Sequence, residues 1–211
     1  GRLRKNFGSD AFKDQIKPLI NYSNPRMPQF GMYTGRTPYS GEQSSEKDKE
    51  LASSLMKDLI NIDEKMKSDL LELGKLPAKR DLKGFIEGIK ANQHNTSHDD
   101  SEMITRFEMQ ANTPDILITN YSMLEYMLLR PRERKIWEDT ANWLLNPHNQ
   151  LLVVIDEAHM YRGAAGGEVS LLLRRLMKKL NIGYDKIRFI LTSASMPSES
   201  EEDFYAVEEF A

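Results

Sequence analysis

Short aliphatic strands alternating with amphipathic helices predict an α/β fold: a parallel sheet with helices on both faces, interrupted by a helical insertion. Three observations carry this prediction. Asp115-Ile-Leu-Ile-Thr119, Gln150-Leu-Leu-Val-Val-Ile155 and Ile187-Arg-Phe-Ile-Leu-Thr192 are compact apolar runs of the kind found in strands buried on both faces. Helical spacing follows over 122–129 and 167–180, the latter with Val169, Leu172, Leu173, Leu176 and Leu180 on one stripe. Between the first strand and these elements, residues 40–111 are markedly hydrophilic.

From the N-terminus, Phe12, Ile16, Leu19 and Ile20 recur at helical spacing, and 27–34 reads as a short strand. In the hydrophilic segment, Leu51, Leu55, Leu59, Ile62, Met66, Leu70 and Leu73 step by three or four residues. This predicts one long helix, opened by Ser44 or Ser45 as N-cap and closed by Gly74. Its stripe reads as packing against the parent domain, since it is too short for a sustained coiled coil. A weaker helix follows at Leu82, Ile86 and Ile89, then a loop over 92–100. The expected organisation is 1–39 as the N-terminal part of the α/β domain, 40–111 as the insertion and 112–211 as the C-terminal part.

Composition narrows the function. The 211 residues are 39% hydrophobic and 29% charged, with net charge -3 and no cysteine. Thiolate nucleophiles, disulfides and cysteine-ligated zinc are therefore excluded. Mean hydropathy is -0.58, and no apolar run reaches the ~18 residues of a membrane span. A cytoplasmic protein without a membrane partner is expected. Residues 1–36 hold seven Lys or Arg against two Asp, and residues 199–211 hold six acids and no base. This segregation suits either a basic binding face or two solvated ends.

The sharpest chemical signal is Leu151-Leu-Val-Val-Ile-Asp-Glu-Ala-His159. A strand ending in two acids puts carboxylates at the carboxyl edge of a parallel sheet, where open α/β folds bind ligands. Asp156 suits Mg²⁺, directly or through its water shell. Glu157 suits the polarisation of a water attacking a γ-phosphate, because phosphoryl transfer asks for positioning and charge neutralisation. A bare acid pair is equally an acidic turn, but the complete run is far more specific.

The segment 153–159 resembles motif II of the DEAH-box superfamily 2 helicases. Thr192-Ser-Ala-Ser195, at the end of the next strand, resembles their motif III. Pro114-Asp-Ile-Leu-Ile-Thr-Asn-Tyr-Ser-Met-Leu-Glu125 looks like a strand and loop that meet the nucleic-acid backbone. Gly31-Met-Tyr-Thr-Gly-Arg-Thr-Pro38 looks like the Thr-Gly loop after motif Ia, and Tyr161-Arg-Gly-Ala-Ala-Gly-Gly-Glu-Val169 is similar to large bacterial helicases. The resemblance is to Lhr-like, DNA-repair and phage-defence helicases. It implies part of the first RecA-like domain, using ATP and Mg²⁺, with a second RecA-like domain and nucleic acid (DNA over RNA) as partners. Duplex translocation without unwinding and a catalytically silent scaffold are the alternatives.

No Gly-x₄-Gly-Lys-[Ser/Thr] occurs, so the phosphate-cradling loop and its lysine are missing. The expectation is an excerpt that begins after motif Ia and is inactive alone, with a natural pseudo-ATPase as the other account. The resemblance assigns catalysis to Glu157 and metal binding to Asp156. Coupling between nucleotide and sheet falls to His159, Ser193, Ala194 and Ser195. Backbone contacts fall to Thr34, Gly35, Arg36, Thr119, Asn120, Tyr121 and Arg162; phosphate contacts position a strand rather than read it. Each of these is also a plausible turn or cap residue. Trp137 and Trp143, with Arg130, Arg132, Arg134 and Lys135, suggest a basic-aromatic helix surface. His94 and His98 beside Asp99 and Asp100 superficially suit a metal. The charged outer face of the insertion suits a protein partner, and its apolar stripe suits packing.

Overall fold

The structure is a computed structural model that describes residues 1–16, 18, 26–38, 41–161 and 163–193. Contacts divide the chain into two compact units, Gly1–Leu124 and Glu125–Ala211.

In the first unit, helices α1 (Arg2–Phe7) and α2 (Asp10–Ile16) precede strand β1 (Phe30–Tyr33). Phe12 and Ile16 lie on α2, while Leu19 and Ile20 fall outside the described residues. Strands β2 (Glu102–Met103) and β3 (Ile116–Thr119) flank β1, giving the order β2-β1-β3 with both pairings parallel. The Arg26 guanidinium fixes the entry to this sheet, bonding both oxygens of Asp115 at 2.5 and 2.7 Å. Asp115 raises the Arg26 pKa above its ordinary value, against the opposing effect of burial.

The long helix expected over 51–73 is two helices, α3 (Ser45–Leu59) and α4 (Glu64–Glu72). The apolar spacing runs through the break, but Asp63 caps a new N-terminus by accepting from Met66 N at 2.7 Å. Ser44 caps α3 in the same way. Gly74 ends α4 with φ +59°; Lys75 N donates to Leu70 O and Gly74 N to Leu71 O, a Schellman closure. Leu51 and Leu55 of the stripe, partly buried, pack against a core of Ala52 of α3, Phe85, Ile86 and Ile89 of α5 (Leu82–Lys90) and Ile104. On α4 the stripe is uncovered, with Met66 half exposed. Helix α6 (Arg106–Ala111) opens with a capping box formed by Thr105 and Glu108.

Helix α7 (Tyr121–Leu129) runs from the first unit into the second. There follow α8 (Arg134–Leu144), β4 (Leu151–Ile155), α9 (Ala164–Leu180) and β5 (Ile187–Leu191). β4 and β5 pair in parallel, with Leu151 opposite Ile187 and Ile155 opposite Leu191. The expectation of strands buried on both faces does not hold for this pair. Leu152 and Val154 are 55% and 56% exposed, so the apolar character that marks the run as a strand is not matched by cover on that face. Trp137 is core rather than surface: it is buried, and its indole N–H donates to Met127 O at 2.9 Å. Arg134 and Lys135 are engaged by Glu138 and Asp139 one turn on, which leaves Trp143 as the exposed tryptophan of α8. No helix among the described residues is long and apolar enough to cross a membrane.

Candidate functional site

The parallel register determines which loops meet. Tyr33 stands opposite Thr119, so the loops after β1 and β3 leave one edge of the first sheet side by side. In the second unit Ile155 stands opposite Leu191, which does the same for the segments starting at Asp156 and Thr192. The predicted site residues that the structure describes thus form two groups, one in each unit.

The second group holds the acids. The ladder continues past β4, since Thr192 N donates to Ile155 O and Ala158 N donates to Thr192 O, both at 2.9 Å. The chain then turns sharply, with Glu157 in the left-handed region at φ 53°, ψ 43° and a single 3-10 turn over Ala158–Met160. A non-glycine residue held there carries strain of order 1–3 kcal/mol, a cost that concentrates at functional positions. Asp156 Oδ1 accepts from the Thr192 hydroxyl at 2.6 Å and from Glu157 N at 3.1 Å. Oδ2 has no partner among the described residues. Both carboxylates are exposed.

His159 joins the two loops. Its Nδ1 is 2.8 Å from Ser193 Oγ and 3.3 Å from Glu157 Oε2. The hydrogen bond is the one with Ser193, while the Glu157 carboxylate lies at ion-pair distance from the same nitrogen. His159 is thereby tied to the end of β5 through Nδ1, with the Glu157 carboxylate beside it. Ala194, Ser195 and Arg162 lie outside the described residues.

This donor set fits Mg²⁺: two hard carboxylates at a strand end, one with an unengaged oxygen, suit an ion that binds one or two carboxylates alongside phosphate oxygens. The pair His94 and His98 does not. His94 is buried, with Nε2 3.0 Å from Asp48 Oδ1 and Nδ1 3.2 Å from Thr105 Oγ1. Asp100 accepts from the buried Lys79 ammonium at 3.2 Å. No group of three or more His, Asp or Glu suited to a metal occurs among the described residues.

The first group is largely engaged within itself. Thr34 N donates to Thr37 Oγ1 at 2.8 Å, and Thr34 Oγ1 accepts from Arg36 N at 3.2 Å, closing a tight turn. Thr119 Oγ1 donates to Tyr33 O at 2.8 Å. Asn120 caps α7 by accepting from Met123 N at 2.9 Å. Gly35 and Arg36 are exposed, and a Cβ on Gly35 would meet nothing within 4 Å. Sequence reasoning passed over Arg106, whose guanidinium donates to Thr34 O at 2.7 Å from beneath this turn. The signal was weak, a lone arginine three residues before Met109 in a polar stretch.

Comparison with known proteins adds to this geometry. The family model of the DEAD/DEAH box helicases matches residues 49–204. The chain is 39% identical over 230 residues to the Druantia protein DruE of Escherichia coli, covering 97% of this chain and 12% of that protein. It is 30% identical over 96 residues to the uncharacterized ATP-dependent helicase MJ1574 of Methanocaldococcus jannaschii, covering 46% of this chain and 13% of that protein. It is also 30% identical over 98 residues to the ATP-dependent helicase HRQ1 of Saccharomyces cerevisiae, covering 44% of this chain and 8% of that protein. The chain thus spans a small part of the length of each relative. No solved structure matches.

Proposed function

The chain belongs to the DEAD/DEAH box helicase family, and on that premise we propose that it forms part of the motor of a longer ATP-dependent DNA helicase acting in DNA repair or antiphage defence. Its parallel strands flanked by helices are those of a RecA-like α/β domain. The observation that carries the proposal is the Asp156–His159 turn tied to Ser193 through His159 Nδ1.

When bound, ATP and Mg²⁺ supply the phosphoryl bond to be broken and the charge that neutralises its oxygens. Asp156 would hold the ion through Oδ2, while Thr192 keeps the other carboxylate oxygen in place. Glu157 orients a water and takes its proton. His159, hydrogen-bonded to Ser193 and beside the Glu157 carboxylate, passes a change at the acid to the end of β5. The loops after β1 and β3, with Arg36 exposed, hold the sugar-phosphate backbone of one DNA strand. The phosphate-cradling loop is not among these 211 residues; another part of the polypeptide supplies it, together with a second RecA-like domain. Alone, the chain is inactive as an ATPase. The insertion, 40–111, interrupts the domain formed by 1–39 and 112–211.

The test compares the full-length polypeptide with its Glu157→Gln variant in ATP hydrolysis and strand displacement. We expect both activities in the wild type and a loss of hydrolysis of 10³-fold or so in the variant. Hydrolysis without displacement turns the reading to a duplex translocase. A wild type that hydrolyses no ATP sinks the motor and leaves a scaffold.

A further inference from the structure

Arg106 differs from the other inward-facing cations of the first unit. Lys79, with no side-chain exposure, is held by Glu108 at 2.6 Å and Asp100 at 3.2 Å. Arg4 is paired with Glu102 at 2.6 Å, and Arg26 with Asp115 at 2.5 Å. Arg106 is only 7% exposed, yet no carboxylate pairs with it among the described residues. Its contacts are one terminal nitrogen on Thr34 O at 2.7 Å and the Tyr33 ring at 5.2 Å from its central carbon. Its Nε is buried without a partner among the described residues. A buried charge lacking a counter-charge is unfavourable, and such a group in a native fold points to a role that the fold alone does not supply.

The placement is firmly built. Gly31 of β1 admits α6 at close range, since a Cβ there would lie 2.3 Å from Met109 Sδ. The Thr105–Glu108 capping box fixes the first turn of α6, and Thr105 is in turn bonded to the buried His94. Arg106 is thereby held below the Thr34–Thr37 turn, at the carboxyl end of β1, where parallel sheets receive ligands.

We propose that Arg106 is an anion ligand of this edge: its guanidinium, beneath the turn and without a carboxylate partner among the described residues, takes a backbone phosphate of a nucleic-acid strand lying across the Thr34–Arg36 turn. The proposal rests on the reading of the protein as a nucleic-acid motor. It adds a contact from the floor of the loop, beside the exposed Arg36. The arginine would at once hold the turn through Thr34 O and supply the charge that the phosphate meets, so strand binding and loop geometry share one side chain.

The experiment measures binding of a single-stranded DNA oligonucleotide by the full-length polypeptide over a range of salt concentrations. Variants are Arg106→Gln, Arg106→Met, which keeps an apolar stem against Tyr33, and Arg106→Lys. Thermal melting identifies the neutral variant that keeps the wild-type fold. A lost phosphate contact lowers the magnitude of the slope of log K against log salt by about 0.7 for a single strand. We expect that change in the folded neutral variant. In Arg106→Lys the slope is retained while affinity falls about tenfold, because an ammonium lacks the guanidinium fork. If the neutral variants do not fold, the lysine variant decides, and wild-type affinity in it overturns the proposal. A neutral variant that folds and keeps the wild-type slope also overturns it, leaving Arg106 as a prop for Thr34. A wild type that binds no DNA removes the motor reading itself, and this assignment with it.

Discussion

The buried network of the first unit and the strand-end acids of the second treat charge in opposite ways. In the first, Lys79, Asp100, Glu108, His94 and Asp48 are buried and bonded to one another or to backbone N–H groups. In the second, Asp156 and Glu157 are exposed at the end of β4, and Glu157 sits in a strained backbone conformation. Buried charge that is fully partnered serves the fold, whereas exposed carboxylates held in strain are available to a ligand. This contrast can be broken by changing residues on each side and asking whether stability or function moves.

The largest expected effect is at Lys79. Its ammonium lies between Glu108 and Asp100 and 4.0 Å from the centre of the Phe85 ring. Lys79→Met leaves two buried carboxylates facing each other without a cation. Chemical denaturation should show a loss of about 3–5 kcal/mol. An unchanged midpoint would mean that this network is not structural, and the contrast would collapse.

His94 gives a smaller version of the same test. Its Nε2 contact is one of the partners that satisfy the fully buried Asp48, the other being the Gln43 amide at 3.0 Å. His94→Leu leaves one Asp48 oxygen unpaired and should cost about 1–3 kcal/mol in the same assay. Added divalent metal should not change wild-type stability, since His94 is engaged by protein groups on both nitrogens. A metal-dependent shift in the wild-type midpoint would restore the metal reading of this loop.

Much of this was legible in the sequence. The buried-strand runs placed β3, β4 and β5, and the Asp-Glu-Ala-His run placed the acids at the end of a strand, because periodicity and strand-end chemistry are local. What was hidden depended on tertiary pairing. Lys79, His94 and Asp100 lie in a segment that reads as solvated, and only the fold shows that they bury one another. The break between α3 and α4 was masked because Ile62 keeps the apolar spacing while Asp63 changes the backbone. Trp137 looked like a surface residue among basic neighbours, yet Arg134 and Lys135 turn to acids on their own helix. Arg106 had no motif around it, and its interest lies in the carboxylate it lacks.

The smallest expected effect separates strain from chemistry at Glu157. Its φ of 53° is one that glycine adopts freely. Glu157→Gly should therefore raise stability, by about 0.5–1 kcal/mol once the greater freedom of glycine in the unfolded chain is deducted. Glu157→Gln keeps a side chain in the same backbone conformation and should leave stability within about 0.5 kcal/mol of wild type. Both variants should abolish ATP hydrolysis in the full-length polypeptide. The informative result is thus a pair of equally inactive proteins of unequal stability. If Glu157→Gly is instead destabilised, the carboxylate contact with His159 matters more to the fold than the strained turn costs it. The second unit would then resemble the first, with its exposed acid doing structural work.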